Sequence, residues 1–585
     1  MFNRREILRI LAATGIGTAV FHRAVAAIAT EKVTLENLQS AAWIAQLNLS
    51  EEEYESILDG VNRQNLQLTR LRDTKIDVQV APAFEFKTLA THDKAPKINR
   101  NIRIQDNDET KLPEENEEIA FLPVTKLSEL IRTRKLSSER LTQIYLDRLK
   151  KFGPMLRCVV TLTEELALQQ AKQADKEIAA GNYRSPLHGI PWGAKDLVSV
   201  PEYPTTWGIP HFKDRIIEEK ATVYQRLESA GAVLVAKLSM GAIAMGDLWF
   251  NGRTRNPWNP QKGSSGSSAG SASASAAGLV GFSIGTETLG SITTPSRICG
   301  ATGFRPTFGR VSRHGCMPLS WTMDKVGPIC RSAQDCAIVF SLIHGADEKD
   351  TTTYDASFDF DSRFDPTDLK IGYTTGKDLD EAPEYQILKE LGCEFVKIKM
   401  PSSAIAQTLA TVINVEAAAG FDYLLRDGHN EGWNQWTEIF QKANFVSAVD
   451  YVRMMRLRTM LMKEMKTLMT SVDFLFNVFE VFHTNHTGQP SIVLPRAIES
   501  SGEHQFQPKT VTITGRLNDD ARLLQLASRY QEAIGSIEQR PALEYWLSKF
   551  EAGELDPKKE EDGSPAAPEN QSSKSESKSA TGGGD

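Results

Sequence analysis

Residues 263–291 read GSSGSSAGSASASAAGLVGFSIGTETLGS. Glycine, serine and alanine are denser here than an ordinary core carries, yet the run is neither a repeat nor a flexible linker. Leu279, Val280, Phe282 and Ile284 interrupt it with the near-alternation of a short strand, and Ser291 sits on the turn beyond. Side chains this small let backbones approach closely and leave N–H groups free to point at a ligand. A site that stabilises a negatively charged oxygen is built in this way.

On either side of the run, apolar strands alternate with helical patterns. Residues 158–162, 189–195 and 232–237 read as strands; 125–132, 137–150, an alanine-rich stretch at 165–180 and 221–231 read as helices. That alternation predicts an α/β layered sheet covered by helices. Further upstream, 33–72 is helical in pattern, with Ser50-Glu51-Glu52-Glu53 as a capping box ahead of Tyr54, Ile57, Leu58 and Val61. Residues 76–116 carry Pro82, Pro96 and Pro113 with an acidic patch and read as an irregular segment over a larger body.

The two ends differ from the body. Arg4-Arg5, an apolar stretch over 10–21 and Ala24-Val25-Ala26 make a charged start, a short apolar segment and a small-x-small cleavage site. Residues 3–9 are similar to a twin-arginine export motif, so 1–29 is expected to be an export signal that sends a folded protein to the periplasm or outside the cell. The alternative is an uncleaved amphipathic N-terminal helix or anchor. At the other end, Leu555 is the sole large aliphatic residue in 551–585, and 546–585 is expected to be a disordered tail. The expected organisation is thus export signal 1–29, helical extension and linker 30–116, catalytic domain 117–545, and tail.

Composition excludes several function classes. A net charge of −8 with no basic stripe argues against a nucleic-acid partner. No stretch after the leader approaches the roughly 20 apolar residues of a membrane span. The six cysteines form no C-x-x-C pair, so buried free thiols are expected and no structural zinc.

Ser291 is the first candidate for chemistry. A serine hydroxyl attacks only when a base takes its proton. The backbone N–H groups of Thr288, Leu289 and Gly290 just before it can converge on a carbonyl oxygen if the turn is tight, a donor of this kind being worth about 2.7–4 kcal/mol in a transition state. A serine that merely caps the turn is the plain alternative. The ten histidines include none in a recognisable triad setting. Lys195, at the edge of the apolar stretch His188-Gly189-Ile190-Pro191-Trp192-Gly193-Ala194, becomes a competent base if burial lowers its pKa; otherwise it is an exposed charge. Residues 266–270 match the G-x-S-x-G nucleophile elbow, but that motif needs a hydrophobic strand before it. Here 256–263 read NPWNPQKG, which is no central strand.

Taken together, several motifs resemble the amidase signature family. They are Gly189-Ile190-Pro191 with Lys195-Asp196, Asn256-Pro257-Trp258-Asn259, the Gly/Ser run, Gly285-Thr286-Glu287 with Gly290-Ser291, and Gly303-Phe304-Arg305-Pro306-Thr307. Downstream, Asp324-Lys325-Val326-Gly327-Pro328 and Asn485-His486-Thr487-Gly488-Gln489-Pro490 fit the same pattern, so the resemblance covers roughly residues 120–540. It implies a mixed central sheet with helices on both faces and a Ser–cis-Ser–Lys triad. Lys195 fits the lysine, Ser291 the nucleophile, and Ser267 the bridging serine, 24 residues before Ser291 as the family's pattern requires. A cis peptide bond accompanies that serine in the family.

The implied activity is hydrolysis of a linear carboxylic amide through an acyl-enzyme on Ser291, with Thr288, Leu289 and Gly290 as oxyanion hole and a small-molecule amide as partner. No metal or organic cofactor enters. Two departures stand out: the family's usual Asp-x-Gly-Gly-Ser reads Glu287-Thr288-Leu289-Gly290-Ser291, and an arginine common just after the nucleophile is absent from Ile292-Thr293-Thr294-Pro295. Two other readings remain open. One is the A component of a glutamine-dependent tRNA amidotransferase, against which the leader argues; the other is a silent binding protein on the same scaffold.

Overall fold

The structure is a computed structural model that describes residues 32–45, 47–73, 100–104, 110–374, 379, 382–498, 507–535 and 540–555. The export signal expected over 1–29 and residues 556–585 of the expected tail lie outside the described residues.

Among the described residues, eleven strands form the main sheet. Across it they run Glu394–Lys397, Lys370–Tyr373, Phe474–Phe476, Pro508–Gly515, Ser491–Ile498, Thr302–Arg305, Lys325–Cys330, Phe282–Glu287, Pro191–Lys195, Val233–Leu238 and Val159–Leu162. Pro191–Lys195 is parallel to both its neighbours, whereas Phe282–Glu287 and Lys325–Cys330 are antiparallel, so the sheet is mixed. Helices flank it, as the sequence predicts. Side chains alternate across a strand: Val233 and Val235 join Leu146, Leu149 and Phe152 in one apolar cluster, while Leu234 joins Ile338, Leu523 and Leu524 in another.

The Gly/Ser/Ala run packs closely against its neighbours. Its helix, Ala269–Ala276, is buried at every position. A Cβ on Gly270 would lie 2.5 Å from both the Cys158 oxygen and the Ser239 nitrogen, so only glycine fits where the helix meets that backbone. The serines are satisfied internally. Ser271 and Ser273 donate to the carbonyls of Ile284 and Arg255 at 3.0 and 2.8 Å, and Ser275 Oγ lies 2.9 Å from Ser283 Oγ.

The helical extension divides into Leu35–Ile44 and Glu51–Asp73. The capping box forms: Glu53 N–H donates to Ser50 Oγ at 3.3 Å and Ser50 N–H to the Glu53 carboxylate at 2.8 Å. Leu38, Ile57 and Val61 pack with Phe445, and Gln64 donates to the Lys442 carbonyl. Of the irregular segment, Arg100–Arg103 pairs in parallel with Phe358–Asp361.

The boundary placed at 545/546 is corrected by the structure, because it falls inside the helix Leu543–Glu551. Residues up to Leu555 belong to the body: Leu543 and Leu555 are buried in a cluster that includes Trp546, Leu547 and Phe550, and Trp546 donates to the Trp258 carbonyl. The polar composition around it hid this anchor. The expectation that no stretch after the leader approaches a membrane span is corrected on one point: Ser403–Arg426 is long and apolar enough by length and composition alone, at mean hydropathy 1.2. Its Val412, Ala417, Phe421 and Leu424 pack within the protein's own core. All six cysteines are free, and all but the partly exposed Cys316 are buried.

Candidate active site

Pro191–Lys195 and Phe282–Glu287 lie side by side and parallel, with Ala194 opposite Ile284. Parallel strands end at the same edge of a sheet, where ligand sites of open α/β sheets collect. Lys195 therefore emerges beside Thr286, and the turn 288–291 follows at once. The loop 263–268 reaches the same edge before the helix Ala269–Ala276 begins.

Lys195 is fully buried. Its Nζ lies 2.8 Å from Ser267 Oγ, 2.9 Å from Thr286 Oγ1, 3.2 Å from Ser268 Oγ and 3.4 Å from the Thr286 carbonyl oxygen. Burial pulls its pKa down to about 7, against the opposing pull of Asp324, Glu287 and Cys316. Near neutral pH a large fraction of this amine is unprotonated. The Gly266–Ser267 peptide bond is cis. Ser268, the serine an elbow would use, is fully engaged: besides Lys195, its hydroxyl donates to the Thr286 carbonyl and accepts the Thr286 N–H, both at 3.1 Å.

Ser291 is half-buried and tied to this cluster through its backbone, its carbonyl accepting the Ser268 N–H at 3.1 Å. Among the described residues, no hydrogen bond joins the Ser291 and Ser267 hydroxyls, and none engages the N–H groups of Thr288, Leu289 and Gly290. Gly290 carries the left-handed φ of +88° that shapes the turn. Leu289 does not adopt that region, which is why leucine is tolerated at its position.

Glu287 holds the turn from below. One carboxylate oxygen accepts the N–H groups of Ile292 and Thr293 at 2.9 and 2.8 Å; the other accepts Arg305 at 2.6 Å and Asn485 at 2.9 Å. Burial pushes its pKa up, but Arg305, Lys325 and the Thr293 N–H outweigh that and hold it at about 2. The longer acid thus does its work by gripping backbone. Arg305 also donates to the Gln489 carbonyl, joining two motifs that the sequence shows far apart.

Sequence reasoning missed Thr286, Ser268, Glu287, Arg305 and Asn485 as functional neighbours. All five lie in the quoted motifs, but nothing in spacing alone gives them partners. No group of three or more His, Cys, Asp and Glu side chains is placed to hold a metal ion among the described residues.

Comparison with known proteins identifies the family and the fold. The sequence profile of the Amidase family matches residues 140–491. The chain is 41% identical over 233 residues to "Putative amidase AmiD" of Mycobacterium tuberculosis, which is 40% of this chain and 49% of that protein. It is 33% identical over 298 residues to the A component of the glutamyl-tRNA(Gln) amidotransferase of Coxiella burnetii, 48% of this chain and 62% of that one. The chain thus spans about half the length of the first curated relatives it matches. Among solved structures, the native peptide amidase of Stenotrophomonas maltophilia superposes with a TM-score of 0.65 at 26% identity, covering 72% of this chain and 98% of that one. A bacterial aryl acylamidase of the amidase signature family, at 21% identity, shares the fold with a TM-score of 0.63 over 73% of this chain and 98% of its own. With Lys195 and the 285–291 motif brought to one sheet edge and the family's profile matched over residues 140–491, this protein belongs to the amidase signature family.

Proposed function

We propose that this protein hydrolyses linear carboxylic amides through an acyl-enzyme on Ser291. Neutral Lys195 takes the proton of Ser267, which takes that of Ser291 as the hydroxyl attacks the amide carbon. The oxyanion rests on the N–H groups of Thr288, Leu289 and Gly290. Ser267 returns the proton to the departing amine, and water activated through the same relay releases the acid. The Ser291–Ser267 contact that this relay needs forms as substrate settles, since catalytic hydrogen bonds are often long in an empty site.

The observation that carries this reading is the buried, desolvated Lys195 amine within 2.8 Å of Ser267 Oγ. The test is release of amine or ammonia from a panel of aliphatic and aryl amides, with the matching esters alongside. Turnover of amides that falls to background in Lys195→Ala is the expected result; full amidase activity in that variant would require a different base.

Export through residues 1–29 belongs to the same proposal and disfavours an amidotransferase component, which works on charged tRNA. Recovery of a processed form from the periplasmic fraction is expected; a full-length cytoplasmic protein would remove that argument.

A further inference from the structure

Asp324 stands just ahead of the strand Lys325–Cys330 and is nine-tenths buried. One carboxylate oxygen accepts the Thr288 hydroxyl at 2.6 Å; the other accepts the N–H groups of Leu319 and Ser320 at 2.7 and 2.9 Å. Thr288, Asp324 and Thr286, the close neighbour of Lys195, line one small pocket of about 10 Å3. The turn that carries Asp324 is itself clamped. Glu416 accepts Ser320 Oγ and Thr322 Oγ1 at 2.6 and 2.8 Å, and Arg458 donates to the Thr322 carbonyl at 2.7 Å. Asp324 is therefore a fixed point in a rigid turn, holding one end of the turn that precedes Ser291.

With Ser291 as nucleophile and Lys195 as base, on which this rests, we propose that Asp324 is a positioning residue for the reaction. It grips the Thr288 hydroxyl so that the Thr288 N–H faces the reacting carbonyl oxygen, and it sets its negative charge against the Lys195 amine. A free threonine hydroxyl would leave that N–H to wander, and a donor displaced from the oxyanion loses most of its value. Charged and titratable groups face the pair from several elements. Asp324, Glu287 and Cys316 act on Lys195. Arg313, itself bound to Asp350, acts on Asp324 from the neighbouring loop. Lys325, whose buried Nζ has no hydrogen-bonding partner among the described residues, stands beside Asp324, Glu287, Arg305 and Arg458. Of the carboxylates acting on Lys195, Glu287 is ion-paired with Arg305, while Asp324 accepts hydroxyl and backbone donors, with Arg313 attracting its charge and burial pushing its pKa up.

The test uses the full chain and an acyl p-nitroanilide that the wild type hydrolyses, with variants Thr288→Ser, Thr288→Val and Asp324→Asn. Thr288→Ser keeps the hydroxyl that Asp324 grips and loses far less kcat than Thr288→Val. Thr288→Val loses about tenfold or more in kcat with KM little changed, and its pH profile stays in place. Asp324→Asn loses kcat similarly, and the acid limb of its kcat/KM profile moves down by about one pH unit, because removing a nearby negative charge favours the neutral amine. Wild-type kcat in Thr288→Val, or an unmoved limb in a folded Asp324→Asn, overturns the proposal; if Asp324→Asn does not fold, the Thr288 pair decides alone. Phosphonate labelling separates the two levels. A wild type that takes no label at Ser291 contradicts the nucleophile beneath the proposal, whereas labelled variants with wild-type kinetics remove only the role of Asp324.

Discussion

Lys195 owes its chemistry to the strand that carries it. A lysine on a surface strand is an ammonium ion at any physiological pH; here full burial brings the pKa to about 7. A base works only when neutral, so kcat/KM for an amide rises with pH, falling about tenfold per unit well below 7 and levelling above it. Lys195→Arg keeps the charge and size class but cannot lose its proton, and is expected to be as inactive as Lys195→Ala. Glu287 makes a different prediction. Glu287→Gln leaves Arg305 buried beside a neutral amide, and removal of one partner from a buried pair costs about 3–5 kcal/mol. A lowered melting temperature together with a kcat loss is the expected outcome, read by calorimetry and by assay. At this scale the sequence was half legible. Lys195 and Ser291 stand out because their residue types carry chemistry within local motifs. Glu287 does not, because its partners Arg305 and Asn485 lie 18 and 198 residues away and only the fold brings them together.

The elements show why the small-residue run has its composition. The helix Ala269–Ala276 presses on the strand ends closely enough that Gly270 abuts two backbone atoms. Gly270→Ala must therefore shift the helix or the backbone at Cys158 and Ser239. A loss of about 1–3 kcal/mol in denaturant unfolding is expected, with reduced kcat because Ser267 and Ser268 move with the helix. The alternation of strands and helices is legible in the hydrophobic pattern alone, and the three predicted strands fall within two residues of those observed, whereas the helix read over 137–150 runs on to Leu156 and the pattern 33–72 divides into two helices. Strand order is not legible there. Pro191–Lys195 and Phe282–Glu287 are neighbours across nearly ninety intervening residues, and the mixed directions of the sheet depend on pairings that no local pattern states.

For the whole molecule, the helical extension and the last helix are parts of the body. Leu543 and Leu555 are buried in the cluster that holds Leu146, Leu149 and Phe152 of the helix Ser138–Leu156, so a chain ended after Pro541 should lose roughly 3 kcal/mol or more, while one ended after Leu555 keeps that burial. A run of Glu, Lys, Ser and Gly concealed that anchor, since one buried leucine barely alters composition. The central claim, that Ser291 is the nucleophile of a family-type amidase, has its most direct test in covalent capture. Incubation with a serine-reactive phosphonate, digestion and mass spectrometry should place a single adduct on Ser291, absent from Ser291→Ala and slowed in Lys195→Ala. An adduct on another serine, or labelling that persists in Ser291→Ala, would contradict the account.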